Sequence, residues 1–221
     1  MKIPLAKDSK TGLYYRPWKT DLHTIRDIYK TMTYNIKDFK KTDILIDIGC
    51  HIGSFSYRAS PLVKKIYAFE PDFENFKIAC LNNKENKNVK IFNAALIEND
   101  DKKRYLYESK AHNSSSLSIY SINRPYRVLV SCSNYESIIK KYKPTILKCD
   151  AEGAEYYFFI KPLYESIRIF LTEFHFGNKR YKNLYFQIVK SLLTEQGFKP
   201  IQETRLTSKS WNIEVNFWRT T

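Results

Sequence analysis

The chain has 221 residues, 43% of them hydrophobic and 15% aromatic, which suits one domain with a sizeable core and is marginal for two. No apolar run approaches the ~20 residues that cross a bilayer, and the opening Met1-Lys2-Ile3-Pro4-Leu5 is too polar for an export signal, so a cytoplasmic protein without a membrane span is expected. A net charge of +14 admits nucleic acid or another acidic partner, yet basic pairs such as Lys40-Lys41 and Lys64-Lys65 fall at expected turns, as on any solvated basic surface.

The whole chain, 1–221, is read as a single domain in which residues 1–40 form an N-terminal arm and helix. Residues 1–20 carry Pro4, Gly12 and Pro17 among aromatics without a period, so they read as an irregular arm lying over a pocket. From Asp21, taken as an N-cap, Leu22, Ile25, Ile28, Tyr29 and Met32 recur at helical spacing. The run Ile44–Ile48 is short, apolar and β-branched and stops at Gly49, as a strand buried on both faces should. A helix from near Gly53, a strand at Ile66–Glu70, a helix over Phe73–Asn83 and a strand at Val89–Asn93 follow, which makes a parallel sheet.

Residues 96–133 break this alternation. Short β-like pieces at Arg104–Tyr107 and Tyr126–Val130 flank the polar stretch His112-Asn113-Ser114-Ser115-Ser116, so the segment reads as an insertion and a substrate loop, with His112 a candidate substrate contact. A helix over Tyr135–Lys141 leads to the strand Thr145–Asp150, a helix over Ala154–Leu163 and the strand Arg168–His175. A long amphipathic helix ends at Gly197, and β segments at Lys199–Thr204 and Asn212–Trp218 close the chain as a hairpin. The fold class is therefore α/β, a doubly wound sheet with a C-terminal antiparallel strand pair.

In such a sheet the first strand-to-helix turn lies beside the ligand, and here it reads Asp47-x-Gly49-x-x-x-Gly53. Gly49 lets the backbone turn tightly, and Gly53 opens a helix whose amides can meet a carboxylate. The spacing is not that of a dinucleotide fingerprint, and no phosphate-loop lysine follows. Glu70 closes the second strand, where a carboxylate can accept hydrogen bonds from two ribose hydroxyls. Asn93-Ala94-Ala95 at the third strand end are small enough to let an adenine ring lie against the backbone. The cysteines Cys50, Cys80, Cys132 and Cys149 form no C-x-x-C pair, so neither a zinc site nor a disulfide framework is indicated.

At this point the chain resembles the FkbM-type methyltransferases, over roughly residues 20–200. The most specific stretch is Ile146-Leu147-Lys148-Cys149-Asp150-Ala151-Glu152-Gly153-Ala154-Glu155, supported by Asp47-Ile48-Gly49, Phe69-Glu70-Pro71, Asn93-Ala94-Ala95 and Thr172-Glu173-Phe174-His175. The family commonly shows G-A-N-x-G where this chain has Gly49-Cys50-His51-Ile52-Gly53, so His51 takes the place of the Asn. The resemblance implies a Rossmann-like methyltransferase sheet, S-adenosyl-L-methionine (SAM) as cofactor with S-adenosyl-L-homocysteine (SAH) as product, and an acceptor hydroxyl on a sugar, glycan or related small molecule. Asp47, Gly49, His51, Gly53, Glu70, Asn93 and Ala94 are then the cofactor-binding residues.

Lys148, Asp150, Glu152 and Glu155 place a cation and three carboxylates at the mouth of the sheet. Along the strand Lys148 and Asp150 project to one side. Asp150 is the first candidate for general base, His175 oriented by Glu173 the second, with Lys148 beside them. Glu152 and Glu155, three apart, can share a helix face towards a substrate. Asp150, Glu173 and His175 could instead hold a divalent metal, since mixed oxygen and nitrogen ligands suit one. The alternatives are an RNA ribose 2′-O-methyltransferase, which needs a Lys-Asp-Lys-Glu tetrad of which only Asp150 is placed, and a non-catalytic subunit of the same fold.

Overall fold

In a computed structural model, the apolar runs of the sequence become the centre of a seven-stranded sheet. The structure describes residues 4–31, 34–108, 115–116, 126–152, 155, 158, 163–175, 182–205 and 212–219. The arm carries a small antiparallel pair, β1 (Ala6–Lys7) and β2 (Tyr14–Tyr15), before α1 (Asp21–Arg26) and a π-helical turn at Asp27–Thr31. Then come β3 (Ile44–Ile48), α2 (Ser54–Ala59), β4 (Lys65–Phe69), α3 (Phe73–Asn82) and β5 (Val89–Phe92).

After the segment of the second sheet, α4 (Tyr135–Tyr142), β10 (Ile146–Cys149), β11 (Ile169–His175), α5 (Lys182–Glu195), β12 (Phe198–Arg205) and β13 (Asn212–Arg219) complete the order. Turn chemistry sets several boundaries. Asp72 caps α3 by accepting from the Asn75 N–H at 2.8 Å, Asn134 caps α4 by accepting from the Ser137 N–H at 2.9 Å, and Gly197 follows α5 with φ 83°.

The large sheet runs β12-β13-β11-β10-β3-β4-β5, parallel from β11 to β5, with β13 antiparallel to both β11 and β12. This is the expected doubly wound sheet, with its antiparallel pair at the C-terminal end of the chain. The chain winds from β3 outward to β5 and returns on the other side of β3 as β10. The β3/β10 junction is therefore the topological switch point, where a doubly wound sheet takes its ligand.

Both faces of the sheet are covered, which explains why its strands are apolar almost throughout. Ile46, Ile48, Leu147, Phe170 and Phe174 pack on one face with Ile139, Leu193 and Phe198. Leu45, Ile66, Ala68, Ile146 and Leu171 pack on the other with Ile28, Phe55 and Ala59. Period-two alternation puts Asp47 and Lys148 on the second face. Their pairing is taken up below.

Between Ala95 and Asn134 the described strands form a second, four-stranded sheet. Within it β6 (Ala95–Ile97) runs parallel to β9 (Tyr126–Asn134), and β7 (Lys103–Glu108) pairs antiparallel with β9 and with β8 (Ser115–Ser116). Ala95, Ile97, Leu106, Val130 and Cys132 give it a small core of its own. His112 and most of the expected helix over 154–163 lie outside the described residues. Asp21 corrects the capping expectation: it is the first residue of α1, fully buried, and its carboxylate is turned to Arg16 rather than to helix amides. Among the described residues no helix is long and apolar enough to cross a membrane.

Candidate active site at the switch point

The loop after β3 is held open by residues in the left-handed region. Gly49 has φ 72°, and a Cβ there would stand 1.9 Å from the Asp150 carbonyl oxygen. The glycine thus brings the loops after β3 and β10 into direct contact, a second requirement beyond approach to a ligand. Gly53, at φ 75°, lets α2 pack on α3, since a Cβ would come within 2.5 Å of Asn83 Nδ2 and 3.1 Å of Ala79. Between them His51 also has a positive φ, 53°.

Glu70 sits at the end of β4 with its carboxylate buried. His51 N–H donates to Oε2 at 2.8 Å and Asp72 N–H to Oε1 at 2.9 Å. Burial pushes the carboxyl up to about 7, because loss of solvent outweighs the opposing influence of His51 and the two amides. Asn93 Nδ2 donates to the Glu70 and Pro71 carbonyls at 2.9 and 3.0 Å and so ties the end of β5 to the same turn, with buried Ala94 beside it.

Asp47 and Lys148 are register partners on β3 and β10, and both are buried. Lys148 Nζ lies 3.1 Å from Asp47 Oδ1, an ion pair off the line of a hydrogen bond, and donates to the Gly49 carbonyl at 2.7 Å; Ser56 Oγ donates to Asp47 Oδ2 at 2.7 Å. Burial disfavours the ammonium, but Asp47 and Asp150 outweigh it and hold Lys148 above the usual lysine range. Expected as a ligand contact and a catalytic cation, the two pair as a buried brace under the loop. Neither side chain is open to a ligand.

Asp150 follows β10 and is partly exposed. Its Oδ2 accepts from Tyr34 Oη at 3.1 Å and lies 3.8 Å from Lys148 Nζ. At the end of β11, His175 Nδ1 meets Glu155 Oε1 at 2.8 Å, while Nε2 lies 3.6 Å from Glu173 Oε1 and 3.8 Å from Glu152 Oε2. Burial opposes a charged imidazole, but the carboxylates, Glu155 first, raise His175 well above the usual histidine range. Asp150, Glu173 and His175 each offer one ligand atom within 4.8 Å of the others, a spacing that can hold a metal ion.

Glu155 departs from its expected place beside Glu152 on a substrate-facing helix surface. It is fully buried, accepts from the Ala151 N–H at 2.9 Å and backs His175. Gly153 and His112 lie outside the described residues.

Sequence reasoning also missed Tyr34, Arg16 and Asp21. Arg16 is fully buried and grips Asp21 with Nε and Nη2, both at 2.9 Å. Asp21 Oδ1 in turn lies 3.4 Å from His51 Nε2. Burial would raise the Asp21 carboxyl, yet hydrogen bonds from His51 and Arg16 hold it well below the carboxylate range. No motif marks Arg16 in the sequence, and its burial and partner are set by tertiary packing.

The family model described as the Methyltransferase FkbM domain matches residues 47–200. Among solved structures the chain is similar to a transferase from Pyrococcus horikoshii, with TM-score 0.57 and 13% identity over 98% of this chain and 72% of that one. It is similar to a methyltransferase from Streptococcus mutans in complex with SAH, with TM-score 0.52 and 15% identity over 82% of this chain and 91% of that one. It is also similar to methyltransferase FkbM from Methylobacillus flagellatus, with TM-score 0.52 and 13% identity, covering 88% of this chain and 48% of that longer one. At these identities the likeness is one of fold. No curated protein matches the sequence.

Proposed function

The chain belongs to the FkbM methyltransferase family, and from that premise we propose that it moves a methyl group from SAM to a hydroxyl oxygen of a sugar in a glycan or glycoconjugate. The observation that carries this reading is the contact of two unlike half-sites at the switch point: the loop from Gly49 to Gly53 with Glu70, and Asp150 with Glu173 and His175.

The donor set fits the cofactor. Glu70 is a buried carboxylate with acceptor capacity beyond its two amide donors, suited to ribose hydroxyls, and Asn93-Ala94 are small enough for a flat ring beside them. Bound there, SAM supplies the activated methyl group. The work of the chain is to align the acceptor oxygen and remove its proton. Asp150 is the base in this reading, because Tyr34 fixes one of its oxygens and the other has no partner among the described residues. With SAM bound, the methyl would leave the sulfonium sulfur for the acceptor oxygen, giving SAH, and the hydroxyl proton would pass to the Asp150 carboxylate. The glutamates around His175 raise it well above the usual histidine range, which makes it a poorer proton acceptor than Asp150 in this reading.

A second reading of the acceptor corner is favoured by the spacing of Asp150, Glu173 and His175. A divalent ion held by them would lower the acceptor hydroxyl's pKa. Turnover that survives chelation unchanged excludes it.

The test of the main proposal is incubation with methyl-labelled SAM and a panel of glycosides and RNAs. Label is expected on a glycoside hydroxyl. Label on RNA alone, with binding that falls steeply as salt rises, would replace the sugar reading with the nucleic-acid one.

A further inference from the structure

The N-terminal arm reaches the cofactor half-site through a closed ring of polar contacts. Arg16 holds Asp21 by two hydrogen bonds of 2.9 Å, Asp21 Oδ1 lies 3.4 Å from His51 Nε2, and His51 N–H donates to Glu70 Oε2 at 2.8 Å. From the other Glu70 oxygen the ring returns: Asn75 Nδ2 lies 3.5 Å from Oε1, and Asn75 Oδ1 accepts from Arg16 Nη2 at 2.5 Å. Both Glu70 oxygens therefore belong to a circuit that starts and ends on a fully buried arginine of the arm. Arg16 and Asp21 lie outside the stretch matched by the family model.

The weak point of the ring is residue 51. His51 is not a glycine and yet adopts φ 53°, a conformation that L side chains rarely take. In that conformation its amide meets Glu70 while its imidazole meets Asp21, so a hold on the imidazole restrains the residue that carries the amide. Asp21 is the group nearest the imidazole, and both of its oxygens accept from Arg16.

We infer that Asp21 is a positioning residue of the cofactor site, which acts through His51 to fix the carboxylate of Glu70. This rests on the reading of Glu70 as a cofactor ligand. In consequence the arm is a working part of the site, and its undocking would loosen the hold on cofactor before it unfolded the sheet.

The test is a double-mutant cycle with Asp21→Asn and His51→Asn, read by calorimetric titration of SAH and by thermal melting. Asparagine at 51 keeps the left-handed backbone accessible while removing the imidazole, so this variant folds even where Asp21→Asn, which neutralises the partner of a buried arginine, does not. Each single variant is expected to weaken SAH by about tenfold, the scale of one hydrogen bond to a charged group, and the double variant no further. Multiplying losses, or wild-type affinity with a lowered melting temperature, would overturn the inference.

Hydrogen exchange at the residue 51 amide judges the ring independently of cofactor. It is expected to quicken at least about tenfold in Asp21→Asn, or in His51→Asn should the former not fold, and unchanged exchange would overturn the ring. Wild-type protein that binds no SAH would sink the reading of Glu70 and leave the exchange result to decide the ring.

Discussion

Around Glu70 a single buried carboxylate meets two backbone amides and the side-chain amide of Asn75, whereas around His175 three glutamates converge on one imidazole, with Asp150 in the same metal-sized grouping. The first arrangement fixes shape and tolerates little charge. The second concentrates charge at a partly open corner. A cofactor that must be gripped in one orientation suits the former, and a proton that must be taken from a hydroxyl suits the latter. Substitutions on the Glu70 side should therefore act through affinity and those on the Asp150 side through rate.

The largest effect is expected where the halves touch. Gly49→Ala drives a Cβ into the Asp150 carbonyl in a conformation alanine avoids, so both SAM binding and turnover should be lost, with a melting temperature lower by on the order of 10 °C. Selective loss of one activity would show that the halves are less dependent on each other than their contact implies.

Next, Asp150→Asn should separate them. Turnover is expected to fall by about 10²–10⁴ while calorimetry finds SAM affinity within about threefold of wild type. Equal turnover would remove Asp150 from the role of base.

Glu70 sharpens the contrast through pH. Its carboxyl, near 4.5 ordinarily, is held at about 7 in the folded protein, so the native state keeps a proton that the unfolded chain releases. Its contribution to stability is fully present below the unfolded value and is lost as pH rises to about 7, in total about 3 kcal/mol. Denaturant melts between pH 4.5 and 7 should show this decline in wild type, and Glu70→Gln should flatten it.

The smallest effect belongs to Tyr34→Phe, which deletes one hydrogen bond to Asp150. A fall in turnover of about three- to tenfold is expected in steady-state assays, with a stability loss of about 1 kcal/mol.

Much of this architecture is legible in the sequence because buried parallel strands must be apolar on both faces. Ile44–Ile48 appears at its predicted bounds, and the glycines and Glu70 announce themselves by place in a strand-turn-helix pattern. Charges inside such strands are equally visible, but not their partners. Lys148 and Asp47 meet through cross-strand register, which periodicity does not encode, so their pairing was not legible. Glu155 looked substrate-facing for the same reason, since its burial depends on His175 arriving from another strand. Arg16, Asp21 and Tyr34 carry no motif at all, and their roles come from how the N-terminal segment folds back over the sheet.

The division of labour between the two half-sites is tested most directly by calorimetric titration of SAM into wild-type protein and into Glu70→Ala. Saturable binding by wild type and a loss of at least about tenfold in the variant are predicted. No heat with wild type, or equal affinity in both proteins, would contradict the assignment of the cofactor to this loop and its carboxylate.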